Sequence, residues 1–231
     1  MKSLREPNTV RVEAASPQAP ANAADYLRDQ VARGNLAPGQ RVTEIEVMRA
    51  TGASRALVRQ SLQRLATEGI LIIEEFRGAS VRSLSPTEVR HLYEVREVLE
   101  GLAARLAAEH AGEPFHRRLR ELQDAMNAAA SAGDHPEFIE LNIRWHQAII
   151  DASDNGYIVD TMRRLNVHLT RILSRSQLRR VEIQAANADH RQITRAILRR
   201  TSADAESLMR RHVAAARQTL APIIDTPSAA P

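Results

Sequence analysis

The fold is decided by residues 35–80, which read NLAPGQRVTEIEVMRATGASRALVRQSLQRLATEGILIIEEFRGAS. From Val47 to Thr67 there is no acidic residue, while arginines recur at helical spacing. A short helix, a turn at Thr51-Gly52 and a second helix capped by Ser54 form the layout of a helix-turn-helix. This layout predicts a DNA-binding surface.

The second helix of this motif carries both a predicted buried side and predicted DNA contacts. Arg55 and Arg59 lie one turn apart near its start, where a recognition helix touches DNA. Arg49 and Arg64 continue the arginine spacing, and a solvated helix face is the alternative for any single arginine. The buried side is expected to consist of Leu57, Val58, Leu62 and Leu65.

A pair of short strands is predicted after the second helix. An apolar run at residues 70–73 is followed by a turn at Arg77-Gly78 and by residues 79–82. Two short runs on either side of a glycine turn are typical of antiparallel strands. We therefore predict the two-stranded wing of a winged helix.

This region resembles the DNA-binding domain of the GntR family of bacterial transcription regulators. The resemblance rests on the Pro38-Gly39 turn, Glu44, the block ASRALVRQSLQRLATEGI and the Arg77-Gly78 wing tip. The chain departs from the family at Leu57, where this branch usually has proline. The resemblance implies that Ser54, Arg55, Arg59 and Gly78 approach DNA. The full candidate set for DNA binding is Ser54, Arg55, Arg59, Gly78, Arg49, Arg64 and Arg77.

The composition favours a helical protein. Hydrophobic residues make up 43% of the 231 residues but aromatic residues only 3%, so Leu, Ile, Val and Ala must fill the cores. The absence of cysteine excludes disulfides and thiolate metal sites. No apolar run approaches the ~20 residues of a membrane span, and the amino terminus lacks the apolar core of a signal peptide. We expect a cytoplasmic protein without a membrane partner.

The chain divides into four regions. We predict a flexible arm at residues 1–20, a winged helix at 21–84, an all-α domain at 85–224 and a tail at 225–231. The boundary between the two domains is marked by Ser85-Pro86-Thr87-Glu88, a helix start with a capping serine, a proline at the first position and a glutamate three residues after the cap.

The second domain is predicted to contain six helices and no strand. Its opening helix runs to about Glu109 and is expected to bury a stripe of large apolar residues. The later helices are predicted near residues 114–130, from 136 onward, and near 157–174, 181–200 and 202–220. The stripe of the opening helix consists of Leu92, Val95, Leu99, Leu102 and Leu106.

Three histidines fall on the inward faces of three different helices. His146 lies four residues after Asn142, while His190 and His212 each sit within an apolar stripe. An unpaired buried imidazole costs ~1–3 kcal/mol. Three imidazoles and an amide oxygen would suit a first-row divalent ion with open positions. The alternative is three separate core histidines, each with its own hydrogen-bond partner.

Residues 86–220 resemble the FCD-type effector domain of the FadR branch of GntR regulators. The shared motifs are YEVREVLEGLAARLAA, LNIRWH, SDNGYI, DHRQITRAI and MRRHV. In that family the matching positions hold a divalent metal, commonly zinc or nickel. The resemblance therefore implies that the ligands are Asn142, His146, His190 and His212. Many members have aspartate where Asn142 stands, and the neutral amide makes this site less negative.

The same resemblance implies that a small organic acid enters the pocket. A divalent cation with open positions attracts a carboxylate, and an arginine can clamp it with two hydrogen bonds. Arg96 is the candidate clamp, and its alternative role is an i,i+4 pair with Glu100 on the bundle surface. Tyr93, one turn earlier, is a candidate for an additional hydroxyl contact.

The remaining basic residues of this domain show no comparable pattern. The run His116-Arg117-Arg118 is predicted to be a solvated helix face, and Arg179-Arg180 lies at a helix junction. The other histidines, at positions 91, 110, 116, 135 and 168, are predicted to be surface or incidental residues.

These expectations combine into a transcription regulator, which the resemblance implies is a repressor. One recognition helix reads few base pairs, so a homodimer on a palindromic operator is expected. One alternative is a metal-dependent enzyme, and another is a switch that responds to metal alone. The enzyme lacks an evident general base, because no carboxylate lies within one turn of His146 and Asp189 should face elsewhere. We therefore expect no enzymatic activity.

Overall fold

The computed structural model describes residues 22–174 and 179–225. The predicted arm at residues 1–20 lies outside these ranges, as does the tail after Asp225. The described chain is mostly helical with one small sheet, which confirms the predicted fold class. Within the described ranges, no helix combines the length and apolar character that a membrane crossing requires.

The amino-terminal part is a winged helix-turn-helix. Its elements are α1 (Ala23–Ala32), β1 (Arg41–Val42), α2 (Glu44–Thr51), α3 (Arg55–Thr67), β2 (Leu71–Glu74) and β3 (Gly78–Val81). The sheet order is β1-β3-β2, and both pairings are antiparallel. The strand β1 was not predicted, because two residues are too few to show an alternating pattern.

The turn between α2 and α3 is built by local capping. Thr43 and Glu46 form a capping box at the start of α2, and Gly52 ends that helix at φ 70°. This left-handed conformation suits glycine. Ser54 then caps α3, because its hydroxyl oxygen accepts a hydrogen bond from the Leu57 amide at 3.4 Å.

One predicted core position in α3 is wrong. Val58, Leu62 and Leu65 are buried, but the Leu57 side chain is 55% exposed. The three buried residues follow i, i+4, i+7 spacing and share one helix face. Leu57 precedes Val58 by one residue, which rotates its side chain by about 100° away from that face.

The carboxy-terminal part contains the six predicted helices. They are α4 (Pro86–His110), α5 (Glu113–Ala132), α6 (His135–Ala152), α7 (Gly156–Ser174), α8 (Arg180–Leu198) and α9 (Ser202–Asp225). The helix α9 packs along α4, while α8 contacts both α5 and α9. The helix α1 of the winged part lies against α7.

The predicted inward stripe of α4 is wrong in part, since Val95 is 47% exposed. The buried face instead contains small alanines together with Tyr93, Arg96 and Glu100. Small residues let the neighbouring helix approach closely. At Gly101, an added Cβ would lie 2.6 Å from Cγ of Arg210 on α9.

The predicted helix start at Ser85 is present as a complete capping box. The Ser85 hydroxyl accepts from the Glu88 amide at 3.2 Å, and a Glu88 carboxylate oxygen accepts from the Ser85 amide at 2.8 Å. The Ser85 amide and hydroxyl donate hydrogen bonds to the Glu88 carboxylate, and these bonds, followed by the bond from Arg82, lower the pKa of Glu88 to about 2.

We predict that Ser85→Ala lowers the free energy of unfolding by about 1 kcal/mol, because it removes this cap. Urea denaturation followed by circular dichroism measures the change. Ser207→Ala is the matched control, since Ser207 is exposed within α9 and alanine favours a helix interior. Equal unfolding midpoints for Ser85→Ala and the wild type would contradict the assigned role of the cap.

Candidate functional site

Two arginines at the start of α3 are held by one carboxylate. Arg55 Nε and Arg59 Nε each donate a hydrogen bond to Glu44 at 2.6 Å, one to each carboxylate oxygen. Hydrogen bonds from Arg59, which has the larger effect, and from Arg55 lower the pKa of Glu44. Both arginine side chains remain about two-thirds exposed, at 63% and 65%. The pair is therefore oriented by the fold but accessible to a partner.

The wing completes a basic depression with these arginines. Arg55, Arg59, Arg77 and Gly78 all line it, so the structure brings four of the predicted DNA-binding residues onto one surface. Arg41 on β1 was missed by the sequence reasoning. It also lines the depression, and its guanidinium donates a hydrogen bond to the Arg77 carbonyl.

The other three predicted DNA-binding residues lie outside the lining of this depression. Ser54 caps α3 next to it. Arg49 is exposed on α2. Arg64 is paired with Glu68 at 3.3 Å in an i,i+4 arrangement, as expected of a solvated helix face.

The three predicted histidines converge in the helical part. His146 on α6, His190 on α8 and His212 on α9 are all buried, and one nitrogen of each lies within 4.8 Å of the others. The Nε2 atoms of His190 and His212 are 3.0 Å apart. The ring of Trp145 packs on that of His190 with centroids 4.6 Å apart.

Two carboxylates contact the outer nitrogens of this cluster. Glu100 Oε2 on α4 lies 2.5 Å from His146 Nδ1, and Asp189 Oδ2 lies 3.4 Å from His212 Nδ1. The expectation that Asp189 faces elsewhere was wrong, because its own helix turns it toward α9. Histidines that bind metals commonly donate their second ring nitrogen to a carboxylate in this way.

Burial keeps the inner imidazoles neutral. It lowers the pKa of His146 to about 4, although Glu100 opposes this shift. It also lowers the pKa of His190 well below its usual value. Neutral imidazoles offer a nitrogen lone pair to a metal ion. Among the described residues, His146 Nε2 is a buried nitrogen without a hydrogen-bond partner.

Arg96 is paired with Glu100, as its alternative role predicted. That alternative placed the pair on the bundle surface, however, whereas the pair is buried. Burial would raise the pKa of Glu100, yet the charge of Arg96 and the contact with His146 outweigh it and lower the pKa to about 2. The Arg96 guanidinium also lies 5.2 Å from the centre of the Tyr93 ring.

A cavity of about 330 Å³ opens beside the histidine cluster. Asn142 and His146 from α6, His212 from α9, and Tyr93 and Arg96 from α4 all line it. The predicted metal and effector residues are therefore brought together at one cavity, and the fully buried His190 reaches its wall through His212. The rest of the lining is mixed. Arg179, which sequence reasoning had placed only at a helix junction, lies there with Glu182, Asp189 and Thr219, and the apolar lining residues are Phe138, Ile139, Val181, Ala185, Ala186, Ala215 and Ala216.

One histidine outside the cluster was misjudged. His116 was expected at the surface, but it is 6% exposed, and its Nδ1 lies 3.7 Å from a carboxylate oxygen of Glu113. His116 lies on the same face of α5 as the buried Leu119 and Leu122. A prediction that follows only the apolar residues of a helix does not reveal this burial. Arg117 and Arg118 are exposed, as predicted.

A winged helix-turn-helix followed by a helical domain with a polar cavity defines a class of two-domain DNA-binding regulators. Two family models match this chain. Residues 20–81 match the model described as bacterial regulatory proteins of the gntR family, and residues 91–215 match that of the FCD domain. The chain therefore belongs to the GntR family of bacterial transcription regulators, and its FCD domain is consistent with the FadR branch.

Curated relatives agree with this assignment. A probable D-xylose utilization operon transcriptional repressor from Paenarthrobacter nicotinovorans is 28% identical over 83% of this chain and 84% of its own. The transcriptional repressor RspR of Escherichia coli is 28% identical over 68% of this chain and 70% of its own. This chain is thus a transcription regulator and not an enzyme.

Solved structures share the fold. McbR/YncC of Escherichia coli has a TM-score of 0.77 at 20% identity, and the match covers 88% of this chain and 97% of that one. A putative GntR regulator from Rhodococcus has a TM-score of 0.69 at 21% identity, with 85% and 94% covered. The fold of both parts of the chain is therefore shared with these solved structures.

Proposed function

We propose that this regulator is a repressor whose operator affinity is controlled by a small carboxylate bound at a divalent metal site. Residues 21–84 bind DNA in this proposal, and residues 85–224 bind the effector. One recognition helix reads only a few base pairs, so useful specificity requires two half-sites. A cytoplasmic homodimer on a palindromic operator is part of the proposal.

The observation that carries the proposal is the convergence of three buried imidazoles, two of which, those of His146 and His212, line one cavity. Two nitrogens bound tetrahedrally to one zinc ion at about 2.0–2.1 Å lie roughly 3.3 Å apart. The 3.0 Å separation of His190 and His212 Nε2 is compatible with shared coordination. Asn142, half-buried at the same cavity, supplies an amide oxygen as the fourth candidate ligand. Zinc and nickel both accept imidazole nitrogen.

The cavity also suits an acid. A divalent ion held by these side chains would supply a positive charge with open positions for a carboxylate. Arg96 is a buried cation on the same wall. Its pairing with Glu100 fixes the guanidinium, and Tyr93 beside it provides a buried hydroxyl group. Both residues remain our candidates for effector contacts.

The helix α4 provides a short route from this cavity to the wing. It carries Tyr93 and Arg96 at the cavity and Glu100 against His146, and it begins at Pro86, shortly after β3 ends at Val81. Arg82 in the connection donates to Glu88 in the first turn of α4 at 2.6 Å. A small shift of α4 on effector binding would therefore move the wing and disfavour the conformation that fits DNA.

A thermal-shift screen against small carboxylic acids tests this proposal. The protein is first loaded with Zn²⁺ or Ni²⁺, and a second sample is treated with a chelator. We expect a few related acids to raise the melting temperature of the loaded protein, because ligands that bind only the folded state stabilise it. We expect the shift to vanish after chelation.

His116→Ala is the control variant for this screen, since His116 is buried outside the cluster. It should keep the acid response. Stabilisation by metal without any acid effect would favour a metal-responsive switch over the proposed effector site. An acid effect that survives chelation would contradict the role of the metal.

A further inference from the structure

The tip of the wing carries an exposed phenylalanine in an unusual backbone conformation. The Phe76 side chain is 98% exposed, the highest value among the large exposed hydrophobic residues of the described chain. Its φ of 63° places it in the left-handed region, which a bulky residue other than glycine rarely adopts. The fold therefore presents an aromatic ring to solvent while also accepting backbone strain. Strained residues of this kind cluster at binding sites.

The surroundings of Phe76 place it at the edge of the basic depression. Arg77 follows it at 79% side-chain exposure, and Gly78 begins β3. The hydrogen bond from Arg41 to the Arg77 carbonyl anchors the base of the turn. The wing and Arg59 line the same depression, so a duplex seated on α3 would run beside the tip.

We propose that Phe76 inserts into the minor groove next to the half-site read by α3 and partly unstacks a base step. Apolar side chains act as wedges of this kind in several proteins that bind the minor groove, and these proteins also use arginine in the groove beside them. Arg77 occupies that position here.

The charges at the tip favour an apolar contact over an ionic one. Glu74 lies 3.6 Å from the Arg77 guanidinium and offsets its charge, and Glu75 is exposed next to Phe76. These two carboxylates would repel phosphate groups. The tip therefore gains little from electrostatic attraction, and its ring is the group best able to contribute binding free energy.

The test uses a duplex selected from a random-sequence library by the full-length wild-type protein. Operator affinity is measured at several salt concentrations for the wild type, Phe76→Ala and Phe76→Gly. Bending is measured by energy transfer between dyes on the duplex ends, and unstacking by 2-aminopurine placed beside the half-site. We expect both variants to bind about tenfold more weakly or worse, as for lost base–aromatic stacking. The salt dependence should stay unchanged, while bending and 2-aminopurine emission should fall.

The glycine variant and one control variant separate a lost contact from misfolding. Phe76→Gly should raise the melting temperature of the DNA-free protein, because glycine tolerates the positive φ, so weak binding by this variant reports a lost contact and not misfolding. Tyr157→Ala is the matched control, since Tyr157 is an aromatic residue 90% exposed on α7. It should keep wild-type affinity and bending.

If Phe76→Ala bound and bent the duplex as the wild type does, the proposed insertion of Phe76 would be overturned. A change in the sedimentation of Phe76→Ala with unchanged bending would also overturn it, and would assign the ring to a contact between copies of this chain. The inference rests on DNA binding by the winged part and not on the effector. If the wild type selected no duplex, the proposed DNA binding and the insertion of Phe76 would both be contradicted. A failed acid screen would leave the insertion of Phe76 untouched.

Discussion

Arg59→Ala is expected to weaken binding to a selected operator duplex by about 1–3 kcal/mol, with a relaxed preference at one base position if the contact is to a base. Glu44 holds the Nε of Arg59 and Arg55 at 2.6 Å, which leaves the ends of both guanidinium groups to face a partner. Titration of a labelled duplex, repeated with single-base changes, measures both effects.

The salt dependence of operator binding shows whether Arg59 contacts a base or a phosphate group. If Arg59 contacts phosphate instead, the affinity loss should be similar for all sequences and the salt slope should fall by about 1. Arg163→Ala is the matched control, because Arg163 on α7 is 70% exposed and is also paired with a carboxylate, that of Asp160. An Arg59→Ala protein with unaltered operator affinity would remove α3 from the proposed interface.

Glu44 connects the two arginines energetically. Glu44→Ala removes the shared anchor, so each guanidinium must be ordered on binding. We infer that the effects of Arg55→Ala and Arg59→Ala will be smaller in the Glu44→Ala background than in the wild type. If Glu44 did not orient the two arginines, the effects of Arg55→Ala and Arg59→Ala would be the same in both backgrounds.

The elements that sequence reasoning located correctly have local causes. The capping box at Ser85 and the glycine turn at Gly52 depend on residues within one helical turn, and both are present as predicted. The inward placement of His146, His190 and His212 followed from their apolar neighbours on one helix each. Periodicity needs only the helix that carries the residue.

The misjudged positions depend on partners distant in sequence. Glu100 lies 46 residues from His146 in sequence, and their contact exists only because α4 packs against α6. The only local sign in the sequence that Glu100 has a structural role was its i,i+4 spacing from Arg96, on a helix face otherwise rich in alanine. Val95 was expected inside because it is large and apolar, yet α4 meets α9 through small residues. Apolar size is a poor guide where helices approach closely.

His212→Ala is expected to reduce the affinity of the protein for Zn²⁺ or Ni²⁺ by orders of magnitude, because it removes one of the three converging nitrogens. Glu100→Gln should act more mildly on metal affinity, by about 10- to 100-fold, since it leaves the ligands in place and weakens the group that orients His146. It also removes the carboxylate that pairs with the buried Arg96, so its stability is measured alongside. Isothermal titration calorimetry on chelator-treated protein measures both, and elemental analysis after dialysis checks the stoichiometry.

The decisive comparison is with His116→Ala. His116 and His212 are equally buried at 6% exposure, and both lie near a carboxylate, so their loss should disturb packing to a similar degree. If the histidines of the cluster are only core residues with separate partners, the two variants should lose stability alike and neither should change metal binding. If they form a metal site, only His212→Ala should lose the ion, and only in that variant should a chelator no longer lower the melting temperature. Burial is matched between the two variants, so a difference between them measures convergence on one ion and not the cost of removing a buried imidazole.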